Sequence, residues 1–365
     1  MRTRSEMVEV LRSRGLHAEP IAAAVEAIEM DDWRARTTLG SVLRAGRVFR
    51  ARAPLDALDL ERAIAALGPD AVLVDVNAWG GLAAAEAWGG AWGVTCPFPL
   101  TLPSRFGPPM GPGLRPLGGR LGRLRDRSVA AAMEAVVWPP ARAALTPPRA
   151  ERGLPPLRES RELLLAPPLV LYASAEPFEY RRPDWPASVV MVGPWAWEPP
   201  GGLPAELAGV TAPLVLVTGS TEFQDDASLA ATAFEALAED PVHVVATVPS
   251  AESSRLRPPA NGTVLGFTPH GPILERAACA VTHGGMGVTQ KALSRGVPVC
   301  AVPFGRDQYE VARRVEANGA GTRLPAPRLS PKRLRRAVRA AMGCGRRGGA
   351  DGARVRRRRR AGDRG

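Results

Sequence analysis

The second half of the chain repeats one pattern: a short, wholly apolar run, a turn, then a segment of helix length. The runs are "LVLVTGS" (214–220), "VHVVATV" (242–248), "TVLGF" (263–267), "ACAVT" (278–282) and "VPVCAVP" (297–303). Helical patterning fills 227–238, 271–277 and 287–295 between them. An unbroken apolar run suits a strand covered on both faces. Such strands alternating with helices predict a parallel sheet with helices on either side. In sheets of this kind, ligands bind beyond the C-terminal ends of the strands.

The first half follows the same scheme less regularly. "DAVLVDV" (70–76) reads as a strand buried on both faces. "AAAEAWGGAWGVTCPFP" reads as helix then strand, and "LVLYAS" (169–174) and "VVMV" (189–192) as strands. Ser5 is placed to cap a short helix carrying Met7, Val8 and Leu11 and stopped by Gly15. Further helices are expected at 56–67 and around 124–147. Residues 98–120 are crowded with Pro and Gly and predict an irregular loop or lid over a cleft. The 365 residues suffice for two cores. The expected organisation is α/β, with two Rossmann-like domains and a cleft between them. These are residues 1–195, a Pro/Gly-rich linker at 196–213, a second domain at 214–342 and an Arg/Gly-rich tail at 343–365.

Charge narrows the function classes. The formal net charge is +12, but the tail from Gly343 holds nine Arg and two Asp and leaves only +5 for the rest. No basic stripe interleaved with aromatics occurs elsewhere, so nucleic acid is not an expected partner. Apart from Lys291 and Lys332, every basic side chain among Lys and Arg is Arg. The N-terminus has no apolar signal region and no apolar run spans a bilayer, so no membrane partner is expected and the location is read as cytoplasmic. Cys96, Cys279, Cys300 and Cys344 are scattered without metal-binding spacing, which predicts reduced thiols and no metal. Asp31-Asp32 and Asp225-Asp226 read as capping or surface acids.

The segment "VTHGGMGVTQKALSRG" (281–296) carries the sharpest chemistry. A glycine-rich turn joins a strand end to a helix start. First-turn N–H groups have no partner inside a helix, and the dipole there is positive. Gly284, Gly285 and Gly287 clear side chains away, so a phosphate can reach those amides. His283 and Thr289 can add donors. The alternative is a tight βα turn around a packed histidine. The pattern is neither the P-loop nor the dinucleotide fingerprint.

From Phe267 to Gln308 the chain resembles the donor-binding signature of GT-B nucleotide-sugar glycosyltransferases. The matching elements are Phe267-Thr268-Pro269, Ile273-Leu274, Thr282-His283-Gly284-Gly285, Gly296-Val297-Pro298, Pro303 and Asp307-Gln308. With "STEFQDD", "VGPWAWEPP" and "VDVNAWGG", the chain is most similar to the bacterial macrolide and enediyne type, including the calicheamicin glycosyltransferases. The resemblance implies the GT-B fold with an incomplete first domain. It places Phe267 on the nucleobase and Ser220 and Thr221 near the diphosphate. It puts His283, Gly284, Gly285, Met286, Gly287, Val288 and Thr289 around the phosphates, and Asp307 and Gln308 on sugar hydroxyls. Helix N-capping is the alternative for Asp307. Many UDP-sugar members carry Glu where this chain has Lys291. A Lys cannot accept from a ribose 2′-hydroxyl, which points to a dTDP-sugar donor, with UDP-sugar the alternative if Lys291 faces solvent.

The implied reaction is transfer of a (deoxy)sugar to a hydroxyl of a hydrophobic natural-product aglycone, with inversion and without a metal or other cofactor, in antibiotic biosynthesis. The resemblance puts the base on a His in a Gly-rich loop after an N-terminal strand. The chain opens in what looks like a later βα unit, so that His is not expected among these residues, and His17 is not read as its substitute. Asp75 matches the acid that orients the base. The other reading is an inactive nucleotide-sugar-binding or auxiliary protein. A homodimer or a partner transferase is considered with it. Trp79, Trp88 and Trp92 are expected in an acceptor pocket or in the core.

Overall fold

The computed structural model describes residues 1–35, 38–219, 227–248 and 256–344. They form two compact units. The first comprises Met1–Met110, Leu117–Ala173 and Arg181–Gly193; the second comprises Gly111–Pro116, Ser174–Tyr180 and the chain from Pro194 onward.

In the first unit, β1 (Arg2–Thr3) and β2 (Glu19–Pro20) make a small parallel pair around the helix Ser5–Arg12. Ser5 does not cap that helix: its amide and hydroxyl both reach the Glu26 carboxylate, and Arg4 holds the capping position without a side-chain bond. A four-stranded parallel sheet runs in the order β3 (Ala71–Asp75), β4 (Ala91–Cys96), β5 (Val170–Tyr172), β6 (Val189–Met191). The helix expected at 56–67 extends over Thr38–Leu67, through Pro54, and another runs over Gly119–Ala150.

The expectation that 70–76 is buried on both faces is corrected. Val72 and Val74 point inward, but Leu73 is 58% exposed, and Ala71 and Asp75 share its open face. The reason is position. β3 is an edge strand paired only to β4 among the described residues, and its residues alternate between exposed and buried. Trp79 is in the core, stacked on Phe49 with ring centroids 4.7 Å apart, and packed beside Trp138 and Leu145.

The second unit holds a six-stranded parallel sheet. In chain order the strands are β7 (Leu214–Thr218), β8 (His243–Thr247), β9 (Gly262–Leu265), β10 (Ala277–Thr282), β11 (Val299–Ala301) and β12 (Gly321–Arg323). Across the sheet the order is β12-β11-β10-β7-β8-β9, all parallel. This is the doubly wound arrangement, in which the chain starts mid-sheet, winds to one edge, then returns to build the other. Every residue of β7 is buried. Val215 and Val217 face a core completed by Leu229, Phe234, Leu334 and Val338. Leu214 and Leu216 face another, completed by Leu207, Ile273, Leu274 and Val315. Cys279 and Cys300 lie fully buried in this sheet, and burial raises both thiol pKa values, that of Cys300 to about 11. The winding direction reverses between β7 and β10, so the doubly wound rule places a ligand at their C-terminal ends.

The segment 193–213 belongs almost wholly to this unit. Leu207 is fully buried, and Arg276 bonds the carbonyls of Leu207 and Val210.

Candidate functional site

β10 ends at Thr282, on the reversal point, and delivers the histidine–glycine turn there. The Thr282 hydroxyl accepts the Gly284 amide at 3.0 Å, which folds the turn back on the strand tip. Gly284 has φ +90°, and a Cβ there would meet the Gln308 carbonyl oxygen at 3.1 Å. Gly285 then occupies the N-cap position of the helix Met286–Ser294 with no side-chain cap. A Cβ on Gly285 would sit 2.4 Å from His283 Nε2, so the missing side chain is what lets the imidazole lie across the helix start. Gly287 faces open space, with nothing within 4 Å of a Cβ built on it. His283 and Met286 are buried and Val288 is half-buried. Thr289 is fully buried, its hydroxyl 3.4 Å from Thr282 Oγ1. What the turn presents is therefore a row of first-turn amides, an imidazole and cleared space, an arrangement that attracts anions.

Phe267, two residues beyond β9, is 87% exposed. Beside it, His270 Nε2 lies 3.1 Å from Thr247 Oγ1, and burial, helped by nearby Lys291, lowers the His270 pKa to about 4. Lys291 does not face solvent. Its ammonium pairs with Glu198 at 2.8 Å. The same carboxylate accepts the His270 amide at 2.9 Å and lies 3.3 Å from Arg295 Nη2. These donors hold the Glu198 carboxyl below its ordinary pKa, against the opposing effect of burial. Sequence reasoning missed this acid, because nothing in "WEPP" shows that it packs 93 residues downstream.

Asp307 and Gln308 open the helix Gln308–Ala317. Asp307 holds the N-cap position but its carboxylate makes no capping bond, so the capping alternative is not realised. Burial raises its pKa to about 6. The preceding residue, Arg306, is the one described non-glycine in the left-handed region, at φ +52°. Strain of this kind collects at functional sites. The Gln308 amide oxygen accepts the amides of Phe304 and Gly305 at 2.8 and 3.1 Å, which ties the turn to the helix start. Through Gly284, the histidine turn and Gln308 are in direct contact.

Ser220 and Thr221 lie outside the described residues. In the first unit, Asp75 accepts the Asn77 amide at 2.9 Å. It is exposed by area, yet neighbouring atoms crowd its carboxyl and raise its pKa. His17 is exposed beside Glu19, and His243 bonds Thr263. A pocket of about 190 Å³ in the first unit is lined by Ser104 and Arg105 of the Pro/Gly loop and by Arg123, Asp126 and Arg127. Among the described residues no cluster of His, Cys, Asp and Glu suits a metal ion, and no helix is long and apolar enough to cross a membrane.

Comparison with known proteins places this geometry in a class. Residues 231–356 match the C-terminal domain family of erythromycin biosynthesis protein CIII-like proteins. A calicheamicin glycosyltransferase of known structure superposes with TM-score 0.66 at 20% identity, over 95% of this chain and 84% of that one. The glycosyltransferase VinC, solved with dTDP, gives TM-score 0.62 at 21% identity, over 95% and 86%. The fold is GT-B. By sequence, the chain is 37% identical over 246 residues to 4′-demethylrebeccamycin synthase of Lentzea aerocolonigenes, which is 66% of this chain. The chain spans 58% of the length of that relative. In sequence and fold it is similar to GT-B glycosyltransferases of the macrolide and enediyne antibiotic type.

Proposed function

We propose that the second unit binds a dTDP-sugar and that the protein transfers the sugar, with inversion, to a hydroxyl of a hydrophobic natural-product acceptor. The observation that carries this reading is the turn at the sheet's reversal point, where the amides after Gly285 and the His283 imidazole surround the cleared space at Gly287. A diphosphate leaving group gains charge as the glycosidic bond breaks. A helix N-terminus and an imidazole donor stabilise that charge best in the transition state. Phe267 offers an exposed face for a base. Asp307 and Gln308 together accept from and donate to a sugar diol.

Two features favour dTDP over UDP. Lys291 cannot accept from a 2′-hydroxyl, and the carboxylate paired with it, Glu198, is engaged by three donors. VinC, of the same fold, was solved with dTDP. No cofactor or metal has a part in this chemistry. Asp75 orients the acceptor's base.

Calorimetric titration with dTDP and UDP tests the reading. We expect dTDP to bind, and binding to weaken at least tenfold, or ~1.4 kcal/mol, in His283→Ala. No binding of either diphosphate sinks the donor site. Tight dTDP binding without turnover of any dTDP-sugar leaves a nucleotide-sugar-binding protein instead of a transferase.

A further inference from the structure

The second unit contains three fully buried charges that the donor chemistry above does not use: Glu179, Glu310 and Arg314, with side chains 0, 0 and 1% exposed. Arg314 grips Glu179 through Nε and Nη2 at 3.1 and 3.0 Å, and Glu310 through Nη1 at 2.8 Å. Its guanidinium stacks 4.6 Å from the Tyr180 ring centre. Two carboxylates share one guanidinium, so further donors must complete their solvation, because a buried charge left short of partners is strongly destabilising. For Glu179 the Tyr180 amide donates to Oε1 at 2.9 Å; for Glu310 the donors come from the Pro/Gly loop. The amides of Gly111 and Gly113 both donate to Glu310 Oε1, at 2.9 and 2.7 Å. Arg313 Nε returns a bond to the Gly113 carbonyl at 2.9 Å. The seat is tight: Gly113 has φ +63°, and a Cβ there would lie 2.4 Å from the Tyr309 carbonyl oxygen.

We propose that this cluster is a positioning device that locks residues 111–116 onto the first turn of the helix Gln308–Ala317 and so fixes the sugar end of the donor site. This rests on the donor reading above. The route is continuous. The loop amides hold Glu310, which lies in the same first turn as Gln308. Gln308 Oε1 holds Phe304 and Gly305, and its backbone abuts Gly284. Asp307 sits between the strained Arg306 and this anchored turn. Lifting the loop strips Glu310 of two donors and frees the turn that aims Asp307. The nucleotide end, at Phe267 and the amides after Gly285, lies on other elements.

Two variants test this. Gly113→Ala leaves every charge in place but cannot seat the loop; Glu310→Gln removes the charge that the loop amides solvate. In both, we expect dTDP affinity to stay within about twofold. The extra affinity of a dTDP-hexose over dTDP should fall by about tenfold, equivalent to ~1.4 kcal/mol. KM for the dTDP-sugar should rise with it. Amide hydrogen exchange without ligand supplies a second measure, with faster exchange expected at 304–308 and unchanged exchange in β7 and β10. An unchanged sugar increment with unchanged exchange at 304–308 overturns the proposal. Faster exchange at 304–308 in a protein that binds no dTDP upholds the lock and sinks the donor reading instead.

Discussion

β7 and β3 carry nearly the same sequence character, "LVLVT" against "AVLVD", and end in opposite environments. β7 is central, with strands on both sides and a helical layer on each face, and all five residues are buried. β3 is an edge, with one flank unpaired among the described residues and one face open, and its residues alternate between exposed and buried. An apolar run therefore reports that a segment can be buried twice over. Which faces are covered depends on neighbours elsewhere in the chain. The same contrast separates the candidate sites. His283 leaves a strand beside the reversal point, inside a closed lattice of contacts, whereas Asp75 ends the edge strand.

The largest test of the contrast is in the cores. Leu216→Ala in β7 should cost about 2–5 kcal/mol, because a fully buried leucine leaves a cavity that cannot collapse. Leu73→Ala in β3 should change stability by about 0.5 kcal/mol or less. Urea unfolding of the two variants measures both. Equal losses would mean that the open face of β3 is covered in solution.

A smaller effect is expected at the turn. Gly285 has φ −62° and ψ 139°, which alanine adopts without strain, so Gly285→Ala should fold normally. Its Cβ must still displace the His283 ring. We expect dTDP affinity to drop about 10- to 100-fold, or ~1.4–2.8 kcal/mol, by calorimetry. Gly287→Ala sharpens the point. The new methyl meets nothing in the protein and should stabilise the helix by up to ~1 kcal/mol, yet it fills the approach to the amides and should weaken binding.

Local pattern made much of this legible. Strands β7, β8, β10 and β11 fall where apolar runs predict them, and the glycine turn falls where its composition does, because both are short-range signals. The rest depends on distant partners. The helix Thr38–Leu67 begins well before the apolar pattern that announces it and passes Pro54, since packing overrides a local breaker. The pairing of Glu198 with Lys291 and the seating of Gly113 on Tyr309 join segments about 90 and 200 residues apart, and neither has a local signature. Residues 98–118 are irregular as expected, with a helix already begun at Gly119, but the local pattern does not show that 111–116 belongs to the second unit.

Exposure also means different things in the two units. Phe267 is more exposed than Leu73, and removing either side chain should leave stability nearly unchanged. Only Phe267 should matter for ligand. Phe267→Ala should weaken dTDP binding by about 1 kcal/mol, the low end of the range for a base stacked on an aromatic ring. Comparable loss from Leu73→Ala would dissolve the distinction.

The two carboxylates are separated by pH. Burial holds the Asp307 carboxyl at about 6 in the folded protein, above the ordinary 3.8. The folded state therefore binds this proton more tightly than the unfolded state does. Stability falls as pH rises from about 4 through 6 and is level above it, and Asp307→Asn should remove that slope. Binding should run the other way, because the ionised form is the better acceptor for sugar hydroxyls. The ionised fraction climbs from about 0.1 at pH 5 to about 0.9 at pH 7, so the sugar-dependent part of dTDP-sugar affinity should rise by no more than about ninefold across that span. Asp75→Asn should leave that profile untouched, because the role proposed for its carboxylate is on the acceptor's base and not on the donor sugar. A wild-type profile that is flat between pH 5 and 7, with dTDP itself bound normally, would remove Asp307 from the sugar site while leaving the phosphate turn in place.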